Sequence, residues 1–234
     1  MPGTFLMHYG TPGMKWGVRR YQEKGSSKRT PAGKKRYSHS STGLAGEIYQ
    51  NARKHEPKIT KDVVRSIKSV GAKTYGLKNR LKTEDSLKRK IHDDSKYNGI
   101  SITKAAKDVK DAIRYTALLD DDKFTEGYSV IKKDLENQGY TETRCRNYFD
   151  RFRKGTANHK QITSVYENAD GTRFELQFHT PSSIKAKELK TPIYEEARRM
   201  GPEDARKASL VKQMNDLEKK VKSPKGVYGI KEHG

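Results

Sequence analysis

The chain predicts an α+β fold: a mixed, largely antiparallel sheet of four or five strands, flanked by helices. Three observations carry this. First, two β-rich runs, Gln161–Asn168 and Thr172–Thr180, flank Asp170-Gly171, a strong hairpin signal. Second, several stretches space apolar residues three and four apart, the helical period. Third, the order helix, strand, helix, strand, hairpin, helix suits an antiparallel sheet rather than repeated parallel units. At 234 residues, with 32% hydrophobic and 34% charged, a core fits only part of the length. We expect a flexible basic leader over residues 1–43, a domain with N-terminal helices over 44–200, and a C-terminal helix with a frayed tail over 201–234.

Residues 1–43 are rich in Gly, Pro, Ser, Thr, Lys and Arg, with nine Lys/Arg against one acid, Glu23. Within them, His8 to Tyr21 holds the only tryptophan, Trp16. This segment reads either as a solvated basic tail or as a short recognition peptide anchored by Trp and Tyr beside Arg. From Gly43 to Tyr75, Leu44, Ile48, Ala52, Ile59, Val63 and Ile67 follow the helical period, and Pro57 predicts a break into two helices. Thr83 predicts an N-cap ahead of Glu84–Ile91. Another short helix is expected from Thr103 to about Lys110, and Ala112–Leu119 reads as a strand. Asp122–Gln138 is amphipathic through Phe124, Tyr128, Ile131 and Leu135, and stops at Gly139. Tyr140–Phe149 and the hairpin supply further strands. Ser182–Arg199 and Pro202–Val221 read as helices that cover the sheet, split by Gly201-Pro202, and Lys222–Gly234 as a frayed end.

The net charge of +21 predicts attraction to polyanions: nucleic acid, nucleotide phosphates or an acidic surface. The lone Cys145 excludes an intramolecular disulfide and a multi-cysteine zinc site, and fits a reducing compartment. No apolar run approaches the ~18 residues needed to cross a bilayer, and Met1–Met14 lacks a signal-peptide layout. We therefore expect no membrane partner and a cytoplasmic location. P-loop, Gly-rich dinucleotide, metalloprotease and nucleophile-elbow motifs are all missing.

Three segments carry candidate chemistry. In Arg80-Leu-Lys82-Thr-Glu-Asp-Ser86-Leu-Lys-Arg-Lys90, a helix capped at Thr83 sets Ser86 and Lys90 on one face. Arg80 and Lys82 stand just before its N-terminus. Cations, a hydroxyl and a positive helix end can cradle a polyphosphate, although a Lys-rich helix equally reads as a solvated face. The second segment, Lys110-Asp111-Ala-Ile-Arg114, opens a strand with a carboxylate. The third is the strand Phe174-Glu175-Leu-Gln177-Phe-His179-Thr180. Its alternation sets Phe174, Leu176 and Phe178 on one face and Glu175, Gln177 and His179 on the other. Two carboxylates facing one way supply oxygen ligands for Mg²⁺ on a nucleotide. The polar row also reads as a solvated sheet face. His55 and His92 read as solvated, and Tyr115 and Phe178 as core.

In these motifs, from about Arg80 to Glu196, the chain resembles the RelA/SpoT-type nucleotidyltransferases, the (p)ppGpp synthetase domain and its small relatives. The resemblance implies a nucleotidyltransferase-like fold and a Mg²⁺-dependent pyrophosphokinase. Such an enzyme moves pyrophosphate from ATP to the 3′-hydroxyl of a guanine nucleotide or, in some relatives, of tRNA. It implies that Arg80, Lys82, Ser86, Lys90 and Arg114 bind ATP. Asp111 and Glu175 would be the catalytic residues and hold the metal. His159, Lys160, Thr163, Gln177 and His179 would bind the acceptor. Two departures stand out. Asp111 lies two residues closer to Arg114 than the family's aspartate does, with Asp108 the second choice by strand parity. His159 and Thr163 also stand where the family has a Tyr and a His, which weakens the expectation of guanosine specificity. The leader resembles those of proteins encoded in bacteriophage head-gene regions. That implies a phage-encoded protein in the bacterial host cytoplasm, or one associated with the virion. The rival expectation is a catalytically inactive phage structural or nucleic-acid-binding protein, binding nucleic acid or a capsid through its basic leader.

Overall fold

In the computed structural model, residues 40–201 and 203–234 are described. The leader's recognition peptide, with Trp16, lies outside them. Ser41–Ser69 forms one helix, α1, with Pro57 inside it, so the predicted break does not occur. An internal proline costs a helix about 3 kcal/mol. Ile59, Val63 and Ile67, all buried to 1% exposure or less, continue the apolar stripe beyond it. At ~1.5–3 kcal/mol for each side chain removed from water, that stripe outweighs the proline.

The chain divides into two units, one containing residues 40–47 and 84–108, the other 48–83 and 109–234. In the first, α2 (Glu84–Asn98) starts where Thr83-Glu84 predicted but continues past Ile91. Helix α3 (Ile102–Lys107) is capped by Ser101, whose hydroxyl accepts from the Lys104 N–H at 3.1 Å. Leu87, Ile91 and Ala105 are buried.

The second unit is built on five strands: β1 (Lys73–Thr74), β2 (Arg114–Leu118), β3 (Thr141–Asn147), β4 (Ile162–Glu167) and β5 (Arg173–His179). Their order is β1-β2-β5-β4-β3. Among the described residues, only the β2–β5 pair is parallel. The predicted hairpin is β4–β5. In its loop Gly171 takes φ 74°, the left-handed conformation glycine supplies without steric cost. Asn168 shares the work: its Oδ1 accepts from the Asp170 and Thr172 N–H groups at 3.1 and 2.8 Å.

Phe174, Leu176 and Phe178 are fully buried on one face of the sheet. Phe174 packs with Tyr166 (5.4 Å between ring centres), Tyr140 (5.3 Å) and Tyr115 (5.9 Å). Helix α1 lies on this side, its Thr60 hydroxyl 2.7 Å from the Tyr115 hydroxyl. Helix α4 (Phe124–Asn137) adds buried Phe124, Ile131 and Leu135. After β3 comes a short helix, α5 (Tyr148–Arg153). Helix α6 (Pro181–Ala197) follows β5, with Thr180 and Ser183 forming a reciprocal capping box. Helix α7 (Ala205–Lys219) is capped by Asp204.

The last residues, expected to be frayed, are tied down. Val227 is buried, Asn147 Nδ2 donates to its carbonyl at 2.7 Å, and Glu232 accepts from the Asn147 N–H at 2.7 Å. Arg151 grips the same carboxylate with two hydrogen bonds, of 2.8 and 3.0 Å. His233 forms a β-bridge with Cys145. The reason lies in the sheet: β3 is an outer strand, and its unpaired backbone groups need a cover. Among the described residues, no helix is long and apolar enough to cross a membrane.

Candidate active site

Strand register assembles the polar face. Arg114 pairs with Glu175, Glu175 with Val165, and Val165 with Arg144, so these four form one row across the sheet. The next row is Thr116, Gln177, Thr163 and Arg146. Partners in register share a face, so the Glu175–Gln177–His179 alternation becomes a two-dimensional polar surface. Helix α6 lies against it. The Lys187 Nζ donates to Gln177 Oε1 at 2.8 Å, and the Ser183 Oγ lies 2.9 Å from His179 Nδ1.

Asp111 reaches this face by a route different from the predicted one. Strand β2 begins only at Arg114, and the chain bends at Ala112, so Asp111 is not in the strand and strand parity does not govern it. Backbone bonds from Lys82 N to Ala112 O (2.9 Å) and from Arg114 N to Arg80 O (2.7 Å) lace the 80–82 segment alongside. Lys82 Nζ then pairs with Asp111 Oδ2 at 3.2 Å. The other oxygen, Oδ1, is buried without a hydrogen-bond partner among the described residues. Burial first, and then the charge of Asp111, push the Glu175 carboxyl above the usual range. The Gln177 hydrogen bond and the Arg114 and Arg144 charges pull it back. The two acids are therefore electrostatic neighbours.

Beside them is a cavity of about 240 Å³, lined by Arg114, His159, Gln177, His179, Lys187 and Lys190 among others. His179 is 2% exposed, and its Nε2 has no hydrogen-bond partner among the described residues. Burial, then Lys187, His159, Lys190 and Arg114, hold its imidazole well below the ordinary range, so it is neutral near pH 7. The His159 ring lies 4.1 Å from that of Tyr148, and burial with Lys190 and Lys187 pushes its pKa down to about 4. Burial and Arg114 bring Lys187 down to about 8. Burial is the first cause of all three shifts and neighbouring cations add to it, while Lys190 is itself paired with Glu218, which also lines the cavity.

Of the residues singled out in the sequence, Lys82, Asp111, Arg114, Glu175, Gln177 and His179 come together, and His159 lines the adjoining cavity. Thr163 is buried beside Gln177 and accepts from Gln161 Nε2 at 2.8 Å. Arg80 is drawn elsewhere: its guanidinium pairs with Glu56 of α1. Lys160 also lines the adjoining cavity, but its ammonium is engaged, donating to the Val221 carbonyl at 2.5 Å. Ser86 and Lys90 belong to the first unit, where Lys90 pairs with Asp94 at 3.1 Å. Asp108 caps α3 and pairs with Lys104 at 3.1 Å. Sequence reasoning missed Lys187 and Lys190. They stand four and seven residues after Ser183, on the helix face that Ser183 turns toward His179, and that spacing was the available signal.

A family profile described as a family of unknown function (DUF7211) matches residues 2–23. No curated protein matches the chain. Solved structures similar to it include the small alarmone synthetase 2 from Bacillus subtilis, at 15% identity and TM-score 0.49. That match covers 74% of this chain and 89% of the other. The Type VI effector Tas1, in complex with its immunity protein, is similar at 15% identity and TM-score 0.48, over 74% of this chain and 93% of the other. A GTP pyrophosphokinase family protein from Streptococcus pneumoniae is similar at 14% identity and TM-score 0.43, over 79% and 89%.

Proposed function

We propose that this protein is a RelA/SpoT-like pyrophosphokinase, which transfers the β,γ-pyrophosphate of ATP to the 3′-hydroxyl of a nucleotide or tRNA acceptor and releases AMP. The observation that carries the reading is the Asp111–Glu175 pair, with Lys82 on one carboxylate and Arg114 beside the other. Two half-buried acids kept close, with no third ligand among the described residues, suit a hard divalent cation. Mg²⁺ commonly takes one or two protein carboxylates and leaves the rest of its shell to water and phosphate. The unpartnered Asp111 Oδ1 is an oxygen of the right kind. Asp111 and Glu175 would hold the ion, which neutralises phosphate charge when bound.

The chain's own groups supply positioning. Lys82 and Arg114 orient the ATP phosphates. Glu175 orients the acceptor hydroxyl and takes its proton. His179, Gln177 and the His159 ring receive the acceptor in the adjoining cavity. Phosphoryl chemistry of this kind rests on alignment and charge stabilisation, so no covalent nucleophile is needed. Incubation with Mg²⁺, γ-³²P-labelled ATP and GDP, GTP or bulk tRNA tests the reading. Label in an acceptor product supports it, and label in none of them overturns it.

A second reading, a catalytically inactive phage structural or nucleic-acid-binding protein, is favoured by one observation: Arg80, expected on ATP, is held by Glu56. It predicts salt-dependent nucleic-acid binding with no labelled product.

A further inference from the structure

Lys187 stands on α6, outside every motif recognised in the sequence. Its ammonium donates to Gln177 Oε1 at 2.8 Å, and Gln177 Nε2 donates to Glu175 Oε1 at 2.7 Å. Gln177 itself is only 7% exposed. A carboxylate can only accept and an ammonium can only donate, so an amide between them has a single satisfiable orientation. Turning it over would set a carbonyl oxygen against Glu175 and N–H groups against Lys187. With Lys187 removed, the carboxylate still takes the NH₂ end, but the amide carbonyl loses the donor that holds the far side of the side chain in place.

We propose that Lys187 is a positioning residue: it fixes the Gln177 amide and, through it, the Glu175 carboxylate, so that Oε2 is the oxygen presented to a cation. This rests on the reading of Glu175 as a cation ligand. It differs from a role in merely pinning α6 to the sheet. It also differs from a direct charge effect, and the two make opposite predictions. Removing a nearby positive charge should tighten the binding of a cation, because repulsion is lost. Removing a positioning group should weaken it.

The test uses the full chain and Mn²⁺ as the probe, with binding followed by electron paramagnetic resonance. Lys187→Met is expected to weaken Mn²⁺ binding on the order of tenfold, as is common when the partner of a metal ligand is lost. Lys187→Arg, which keeps charge and donor, restores most of it. In a Gln177→Met background, Lys187→Met should add no further loss, because the path to Glu175 is already cut. Tighter binding in Lys187→Met, or a full additional loss in the double variant, overturns the proposal. A second readout is independent of the cation. In the wild type, the Gln177 side-chain NH₂ should show one hydrogen-bonded, slowly exchanging proton by NMR, and Lys187→Met should speed its exchange, because the amide is no longer held at its carbonyl end. An unchanged Gln177 signal overturns the positioning role. Wild-type protein that binds no Mn²⁺ but shows the slowly exchanging amide proton, with exchange sped up in Lys187→Met, overturns the cation reading and leaves the positioning of Glu175 supported.

Discussion

Replacing Lys187 by Met should change how stability depends on pH, in a window set by the lysine itself. An ordinary lysine titrates near 10.5. Here burial and Arg114 bring the ammonium down to about 8, partly offset by Glu175. At ~1.4 kcal/mol per pH unit, the gap amounts to about 3 kcal/mol, and to roughly half that once partial exposure and screening are allowed for. The sign follows from proton counting. Between about pH 8 and 10.5 the unfolded chain holds a proton that the folded chain has released, so folding is favoured increasingly as pH rises. Below pH 8 both states hold it, and the folded state bears the full cost of burying the charge. Urea denaturation of wild type and Lys187→Met, from about pH 7 to about pH 10, isolates the effect, since other titrations cancel in the difference. Wild-type stability relative to the variant should climb by about 1–3 kcal/mol across that range. A flat difference would mean that Lys187 is well solvated.

Glu175→Gln should abolish pyrophosphate transfer. In metal-free buffer near neutral pH it should not lower the melting temperature, because a carboxyl whose pKa is raised by burial and Asp111 is costly when charged. Lys82→Ala should weaken binding of an ATP analogue by roughly 1–3 kcal/mol in calorimetry, while Arg80→Ala should act mainly on the melting temperature through Glu56. Glu232→Ala should cost about 1–2 kcal/mol in chemical denaturation, since it releases Arg151 and the Asn147 N–H together. The loss should shrink as pH falls, because Arg151 holds that carboxyl below the usual range and protonation removes the interaction in the wild type too. Removing residues 1–39, which carry nine Lys/Arg and one acid, should reduce nucleic-acid affinity and flatten its salt dependence in filter binding.

Much of the sheet was legible because it depends on local rules. Alternation in Phe174–His179 gave the buried and polar faces, and Asp170-Gly171 gave the hairpin. Pro57 misled because its local cost was overruled by an apolar stripe whose burial only the folded sheet provides. The tail misled for the opposite reason. Residues 222–234 have no periodic pattern, and their order comes from hydrogen bonds that the edge of β3 offers. At the site, residue types and their faces came from the chain, and partners came from the fold. Glu175, Gln177 and His179 were recognisable as a row. That Arg114 stands beside Glu175 depends on a parallel β2–β5 pairing between segments about sixty residues apart, which no local signal encodes. Arg80 and Lys82 look equivalent in sequence, yet one meets Glu56 and the other Asp111. The sequence by itself determined which side chains alternate, turn and cap, because those choices are made within a few residues. The tertiary structure decided which charges meet, because the energy of an ion pair or a buried amide depends on neighbours that only strand register and helix packing bring within reach.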